Sequence, residues 1–312
     1  MMSDAGPGWK GPDGGLLAWR RITEYSRLLA RAGRRFPPTN MREVTIMIDL
    51  DAYLQRIDWQ GTVRTDLDTL TGLLGAHMRA IPFENLDVLL GRRIDLGLAS
   101  LQQKLVQARR GGYCFEHVTL FAAAMGQIGF RVSCHLARVV LAAPKTESSR
   151  THMFALVHLP EGRFVADPGF GGPASVIPLP LIETEQRSAH NNGDHWFARE
   201  QQDWILRTRS DGMERDLWVS ELATDYPIDF ELSNYFVATH DSSIFKTNIM
   251  LNLFTEKGRI SVINRDVTLW DGEERSTWRL ADYPELRRLL LDRFTIALPA
   301  DALLDAPAFV IA

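Results

Sequence analysis

Three side chains in the middle of the chain have the types and the order of a cysteine nucleophile, its base and an orienting acid. Cys114 follows two glycines, and apolar residues at helical spacing begin directly after it. His152 precedes a run of strand-forming residues, and Asp167 closes the next such run. The unpaired N–H groups and the positive dipole end at the start of a helix stabilise an anion, so a thiolate is favoured at Cys114. The set is suited to nucleophilic catalysis.

The sequence between His152 and Asp167 predicts a β-hairpin. Pro160-Glu161-Gly162 is a good turn between the two runs, which would bring the side chains close on adjacent strands. The sequence leaves the register of these strands open. A cysteine and a histidine in a chain of this length are also compatible with buried, inert side chains. The glycines before Cys114 and in Gly169-Phe170-Gly171-Gly172 favour catalysis, because a structural strand end has little use for them.

Helices precede strands along the chain. Helical spacing predicts helices over 50–57, 67–78 and 115–128, and a further helix that begins with a capping box at Ser100. Runs rich in β-formers predict strands at 132–136, 153–159, 163–166, 204–207, 248–254 and 259–263, followed by a helix at 284–294. We therefore expect an α+β protein with a helical bundle at 46–130 that carries the nucleophile. A mostly β region at 131–230 would carry His152 and Asp167, and a smaller α/β region and tail would follow at 231–312.

Residues 1–45 differ from the rest of the chain in charge. They contain eight Lys and Arg against four Asp and Glu, and they open with stretches rich in glycine and proline. One short amphipathic segment at 16–32 ends before Phe36-Pro37-Pro38, which stops a helix. We expect a basic, disordered N-terminal extension, with a basic arm or a targeting segment as the alternative.

Composition excludes several classes of protein. The 312 residues have a formal net charge of -4 and are 45% hydrophobic, which is typical of a globular protein with no general attraction to nucleic acids. Neither a membrane span nor a signal peptide is indicated. The two cysteines, Cys114 and Cys134, are too few for a disulfide framework, so we expect a cytoplasmic protein with free thiols. The Cys and His spacings match no zinc-ligand pattern, so no metal is expected.

Four blocks in order resemble those of the arylamine N-acetyltransferase family. They are Ile81-Pro82-Phe83-Glu84-Asn85, Arg110-Gly111-Gly112-Tyr113-Cys114-Phe115-Glu116-His117, Thr151-His152-Met153 and Asp167-Pro168-Gly169-Phe170-Gly171-Gly172. The resemblance covers about residues 48–298. It implies a helical bundle, a β-barrel and an α/β lid around a core of the cysteine-protease and transglutaminase type. Cys114, His152 and Asp167 would be the catalytic residues of that core.

The resemblance also implies an activity, which is transfer of an acetyl group from acetyl-CoA to an aromatic amine or hydrazine through a thioester on Cys114. Acetyl-CoA would be a co-substrate, and the partners would be small molecules, with neither nucleic acid nor membrane among them. A monomer or a homodimer is expected. The residues implied to surround the acceptor are Phe83, Phe170 and Phe245. Those implied to lie near the coenzyme A entrance are Gly171 and Gly172.

The sequence departs from the family pattern at two positions. Val118 stands where the family usually has Asn, and Pro168 stands where it commonly has Val or Ala. Val118 is expected to change packing only, whereas Pro168 restricts the backbone beside Asp167 and could shift the aim of the acid. Two other functions remain open, which are a cysteine acyl hydrolase or amide synthase with the same triad and an inactive binding protein. The presence of all three triad residues argues against the inactive protein.

Other residues near the motifs have structural interpretations. Glu116 and Arg110, which flank Cys114, are expected to form a buried ion pair. Four tryptophans are expected to pack the barrel and the lid: Trp196, Trp204, Trp218 and Trp270.

Overall fold

The computed structural model describes residues 47–184, 188–190, 193–210, 212–306 and 309. The extension expected at residues 1–45 lies outside these ranges. The first part of the described chain is mainly helical. Its elements are α1 (Leu50–Arg56), α2 (Leu67–Ala80), β1 (Phe83–Glu84), α3 (Leu86–Leu89), α4 (Leu98–Leu101), a π-helical segment (Gln102–Gln107) and α5 (Cys114–Ile128).

The predicted helix boundaries agree with the structure where local capping determines them. α1 and α2 begin after Asp49 and Asp66, and each of these carboxylates accepts a backbone N–H from the first turn, at 3.0 and 2.9 Å. α5 ends at Gly129, whose φ of 112° is the left-handed conformation that glycine favours. The apolar faces of these three helices pack into one core.

The prediction that a helix begins at Ser100 is wrong. α4 begins at Leu98 after Gly97, and the Ser100 hydroxyl donates to Asp95 at 2.7 Å, outside any helix cap. The helix then widens into the π-helical segment, which ends before Arg109, a residue with a φ of 53°. The capping-box pattern failed because the serine found a nearer acceptor in the preceding loop.

Eight antiparallel strands form a strongly curved sheet in the order β5-β4-β3-β2-β9-β8-β7-β6. Residues just after β5 return to β7 through a bridge between Glu183 and Phe197, so the sheet is a nearly closed barrel. Apolar side chains from its strands fill the interior. The strands are β2 (Arg131–Val139), β3 (His152–Leu159), β4 (Gly162–Ala166), β5 (Leu179–Pro180), β6 (Ser188–His190), β7 (Gly193–Glu200), β8 (Asp203–Ser210) and β9 (Met213–Ser220).

A second antiparallel sheet has the order β1-β10-β11-β12-β13. Its last four strands come from the C-terminal region, and β1 from the helical region pairs with β10, so this sheet joins distant parts of the sequence. Its buried face packs against the last helix. The elements are α6 (Pro227–Thr239), α7 (Ile244–Thr247), β10 (Met250–Phe254), β11 (Gly258–Ile263), β12 (Asp266–Asp271), β13 (Glu274–Arg279) and α8 (Tyr283–Phe294).

The observed architecture confirms the α+β class. α6 was not predicted, and it crosses position 230, where the sequence suggested a boundary between regions. Its apolar residues point both inward, as at Val237, and outward, as at Leu232, so no single helical stripe is visible in the sequence. Within the described residues, none of the helices combines the length and the apolarity needed to cross a bilayer.

Candidate active site

Cys114 is the first residue of α5 and is only 4% exposed. The helix start is fixed by Glu116, whose carboxylate accepts the backbone N–H of Tyr113 at 3.1 Å. The Cys114 Sγ lies 3.8 Å from the carbonyl oxygen of Thr151, the residue before His152. The sequence therefore places the thiol where the first N–H groups of a helix have no partner inside that helix.

His152 and Asp167 lie on the predicted hairpin. β3 and β4 pair antiparallel with Leu159 opposite Gly162, which confirms the turn between them. His152 begins β3, and its Nε2–H donates to Asp167 Oδ2 at 2.8 Å, with both side chains buried. Because Nε2 is held by the acid, Nδ1 is the nitrogen left for the thiol of Cys114. The structure thus brings all three sequence-predicted residues together.

The surroundings of His152 favour its charged form. Burial alone lowers the pKa of this imidazole, but the charge and hydrogen bond of Asp167 and the adjacent Cys114 raise the pKa to about 10. His152 is therefore protonated at neutral pH and places a positive charge beside the thiol.

Asp167 has two further partners. The backbone N–H of Gly169 donates to Asp167 Oδ1 at 3.3 Å, and the indole Nε1–H of Trp218 donates to Asp167 Oδ2 at 3.2 Å. Trp218 is fully buried in the barrel and stacks on Phe154 with ring centroids 4.4 Å apart, as expected for a packing residue. The sequence does not indicate the polar contact of Trp218, because nothing near this residue shows which side of β9 it faces.

Two glycines allow backbones to meet at the nucleophile. A Cβ on Gly169 would lie 2.6 Å from Cys114 Cα, and a Cβ on Gly111 would lie 2.0 Å from the carbonyl oxygen of Pro82. Such separations leave no room for any side chain. The glycines of both motifs are thus required by close approach, which explains their place around the thiol.

The three aromatic residues implied to surround the acceptor are near this centre. Phe83 and Phe245 lie with ring centroids 6.2 Å apart, and both pack in the apolar cluster that contains Cys114. Phe170 meets the His152 ring edge-on at 5.0 Å. A Cβ on Gly171 would contact the Phe83 ring at 3.1 Å, whereas the Cβ position of Gly172 has no heavy atom within 4 Å.

A buried ion network lies beside the nucleophile. Arg110 pairs with Glu84 at 2.7 Å, and Lys104 pairs with both Glu116 and Asp87 at 2.8 Å. The expected ion pair between Glu116 and Arg110 is therefore not formed. Glu116 pairs with Lys104 of the π-helical segment, and Arg110 pairs with Glu84 of β1. Asp87 also contacts Arg110 at 3.2 Å and so joins the two pairs. The network links β1, α3, the π-helical segment and α5.

A chain of buried hydrogen bonds that the sequence did not indicate ties the helices to the nucleophile motif. Tyr53 Oη contacts His77 Nδ1 at 2.9 Å, His77 Nε2 contacts His117 Nδ1 at 2.8 Å, and His117 Nε2 contacts the carbonyl oxygen of Pro82 at 3.1 Å. A carbonyl oxygen only accepts, so His117 Nε2–H donates to Pro82. With both imidazoles neutral, His77 Nε2–H then donates to His117 Nδ1, and the Tyr53 hydroxyl donates to His77 Nδ1. Burial lowers the pKa of both histidines, that of His117 to about 4.

No group of three or more His, Cys, Asp or Glu within the described ranges is arranged to hold a metal ion. Cys134 and His135 are neighbours on β2 and so point to opposite faces of the sheet. Burial raises the pKa of the Cys134 thiol to about 12.

This chain is similar in sequence and in fold to known proteins. Residues 66–303 match the family model described as N-acetyltransferase. The arylamine N-acetyltransferase of Escherichia coli K12 is 34% identical over 78% of this chain and 88% of its own length. The solved Salmonella typhimurium arylamine N-acetyltransferase superposes with a TM-score of 0.77 and 32% identity, over 83% of this chain and 96% of that one. A Mycobacterium marinum arylamine N-acetyltransferase solved in complex with CoA gives 0.76 and 31%, over 80% and 93%.

Proposed function

Because this chain belongs to the arylamine N-acetyltransferase family, we propose that it transfers an acetyl group from acetyl-CoA to an aromatic amine or hydrazine through a thioester on Cys114. One observation carries the proposal, which is the His152 imidazole held by Asp167 next to a cysteine at a helix start. The Mycobacterium marinum relative solved with CoA supports acetyl-CoA as the donor. The reaction needs a reduced thiol, so the proposal includes a reducing compartment such as the cytoplasm.

The first half-reaction forms the acetyl-enzyme. The Cys114 thiolate attacks the carbonyl carbon of acetyl-CoA, and the backbone N–H groups of Cys114 and Phe115 are suited to stabilise the oxyanion. The carbon–sulfur bond to coenzyme A then breaks, and the coenzyme A sulfur takes the proton from His152 Nδ1. The products are the Cys114 thioester, neutral His152 and coenzyme A.

The second half-reaction discharges the thioester. The amine nitrogen attacks the acetyl carbon, neutral His152 accepts a proton from that nitrogen, and the Cys114 thiolate leaves. The N-acetylated product is released, and the thiolate–imidazolium pair returns. Asp167 keeps Nε2 occupied throughout, so the same nitrogen, Nδ1, faces the reaction in both halves.

Three aromatic side chains and two glycines define the proposed substrate subsites. Phe83, Phe170 and Phe245 would provide flat apolar walls for an aromatic ring. Phe83 and Phe245 pack in the cluster that contains Cys114, and Phe170 contacts the His152 ring, which supports this proposal. Gly171 and Gly172 would lie along the path of coenzyme A. The free space at the Cβ position of Gly172 supports an entrance there.

The intact mass of the protein after mixing with acetyl-CoA tests this function. We expect one acetyl group on the native chain, none on Cys114→Ser, and loss of the group when an aromatic amine such as aniline is added. Cys134→Ser is the matched control and should acetylate normally, because Cys134 is half-buried on β2 and the pKa of its thiol is raised.

Two other outcomes would contradict the proposal. Discharge of the acetyl group by water as fast as by amine would indicate an acyl hydrolase that uses the same residues. Absence of any adduct with acetyl-CoA and with longer acyl-CoA donors would mean that Cys114 does not accept an acyl group from coenzyme A.

A further inference from the structure

β9 contains an irregularity at the place where it reaches the catalytic acid. Leu206 on β8 pairs with Trp218, but the next residue, Arg207, pairs with Asp216, so Leu217 is an extra residue on β9. Two residues opposite one define a β-bulge, which re-aims the side chains beyond it.

The bulge decides which face of the barrel Trp218 occupies. In a regular strand, residues two apart share a face, so Trp218 would lie on the same side as Asp216. Asp216 is on the outside, where it pairs with Arg207 at 2.7 Å. Trp218 is instead fully buried in the interior with Leu206. The extra residue therefore turns the indole inward, to the side from which Asp167 is reached.

The inward position gives the indole N–H a specific acceptor. Trp218 Nε1 and His152 Nε2 both donate to Asp167 Oδ2, at 3.2 and 2.8 Å, while Gly169 donates to Oδ1. The carboxylate thus accepts from donors on β3, on β9 and in the loop that follows β4. Indole is a donor only, so the carboxylate oxygen must be the acceptor in this contact, which restricts the orientation of the Asp167 side chain.

We propose that Trp218 is a positioning residue of the reaction, which acts on His152 by holding the Asp167 carboxylate in place. The inference rests on the proposed function for its kinetic consequence and on the structure for its geometry. The indole N–H donates to the Asp167 carboxylate and not to the thiol. The Trp218 ring also lies beside the His152 ring, with centroids 6.4 Å apart, and Trp218→Phe keeps an aromatic ring there. The effect of the indole N–H on acetyl transfer is transmitted through Asp167, its acceptor.

The first test is Trp218→Phe, which keeps an aromatic ring against Phe154 and removes the N–H. A hydrogen bond to a charged group contributes enough that its loss should slow acetyl-enzyme formation by roughly tenfold. The KM for acetyl-CoA should stay within about twofold, because no substrate contact is removed. Trp204→Phe is the matched control, since Trp204 packs on Phe197 of the same barrel and should leave the rate unchanged.

A double-mutant cycle separates positioning from packing. In an Asp167→Asn background, Trp218→Phe should slow acetyl-enzyme formation by less than about twofold, because the carboxylate that the indole N–H holds is already absent. An equal loss in both backgrounds, or an equal loss from Trp204→Phe, would mean that the indole only fills the barrel. An unchanged rate for Trp218→Phe in the native background would also overturn the proposal.

A second readout needs no acetyl-CoA. Alkylation of Cys114 by iodoacetamide, followed by mass spectrometry, measures thiol reactivity directly, and it should show the same pattern across the cycle. If alkylation follows that pattern while neither the native chain nor any variant accepts an acetyl group, the proposed function fails and the positioning role of Trp218 stands. NMR of protein labelled with [15N]tryptophan tests the contact itself. Of the eight indole N–H signals of the native chain, one should shift in the Asp167→Asn variant, in which Trp218 is retained. No movement would refute the contact.

Discussion

Gly169 is the point at which the loop carrying Asp167 touches the helix carrying Cys114, and Gly169→Ala is the most informative perturbation of the site. The new Cβ would lie 2.6 Å from Cys114 Cα and 2.9 Å from the Cys114 carbonyl oxygen. Both are backbone atoms, so no side-chain rotation relieves the overlap. Ordinary contact begins at 3.4 Å, and the loop and the helix must therefore separate by about 0.8 Å.

This displacement has a predictable cost. A misplacement of about 1 Å between reacting groups can cost about 100-fold in rate, so we expect Gly169→Ala to slow acetyl-enzyme formation by about that factor. Forcing one methyl group into a packed site also lowers the free energy of unfolding by about 1–3 kcal/mol. The φ of Gly169 is not in the left-handed region, so the whole effect is steric.

Rapid-quench mass spectrometry measures the rate of acetyl-enzyme formation, and urea unfolding measures the free energy of unfolding. Gly126→Ala is the matched control, because it lies in the same helix as Cys114 and nothing is within 4 Å of its Cβ position. That variant should acetylate normally and gain about 0.5–1 kcal/mol in stability. Native acetylation and native stability in Gly169→Ala would refute the argument that close backbone approach assembles the site.

Three further predictions concern the surroundings of the site. Lys104→Gln leaves the buried carboxylate of Glu116 without its cation and should cost about 3 kcal/mol in urea unfolding, whereas Arg92→Gln, at a half-exposed pair, should cost under about 1 kcal/mol. Burial lowers the pKa of His117 from 6.5 to about 4, so the unfolded chain binds more protons in that window. The free energy of unfolding should therefore fall as pH drops from 6.5 to 4, and His117→Gln should flatten this dependence. Phe245→Ala should raise the KM for an aromatic amine about fivefold in steady-state assays and leave acetyl-enzyme formation unchanged, since an aromatic contact contributes about 1 kcal/mol.

Local signals were sufficient for the hairpin that carries the base and the acid. Pro160-Glu161-Gly162 is a turn that needs no tertiary contact, and the strands on either side of it pair as expected. The position of Cys114 at a helix start was also readable, because glycines end one segment and an apolar stripe begins the next. The resemblance of the four blocks to a family is confirmed by the match over residues 66–303.

Other features of the structure were missed or misplaced. α6 is apolar on both faces, so its periodicity carries no signal in the sequence. The helix expected at Ser100 begins earlier, because Asp95 captures the serine hydroxyl. The predicted ion pair of Glu116 with Arg110 has other partners, since opposite charges arrive from β1 and the π-helical segment.

The sequence by itself determined the chemical groups of this protein and the short-range geometry that prepares them, which are a thiol at a helix start and an imidazole and a carboxylate on one hairpin. Only the tertiary structure decided how they meet. The approach of Gly169 to Cys114 and the inward turn of Trp218 depend on how the loop after β4 and the bulge in β9 pack against other elements. One extra residue in a strand reverses the face of every side chain after it, and a sequence pattern alone does not locate that residue.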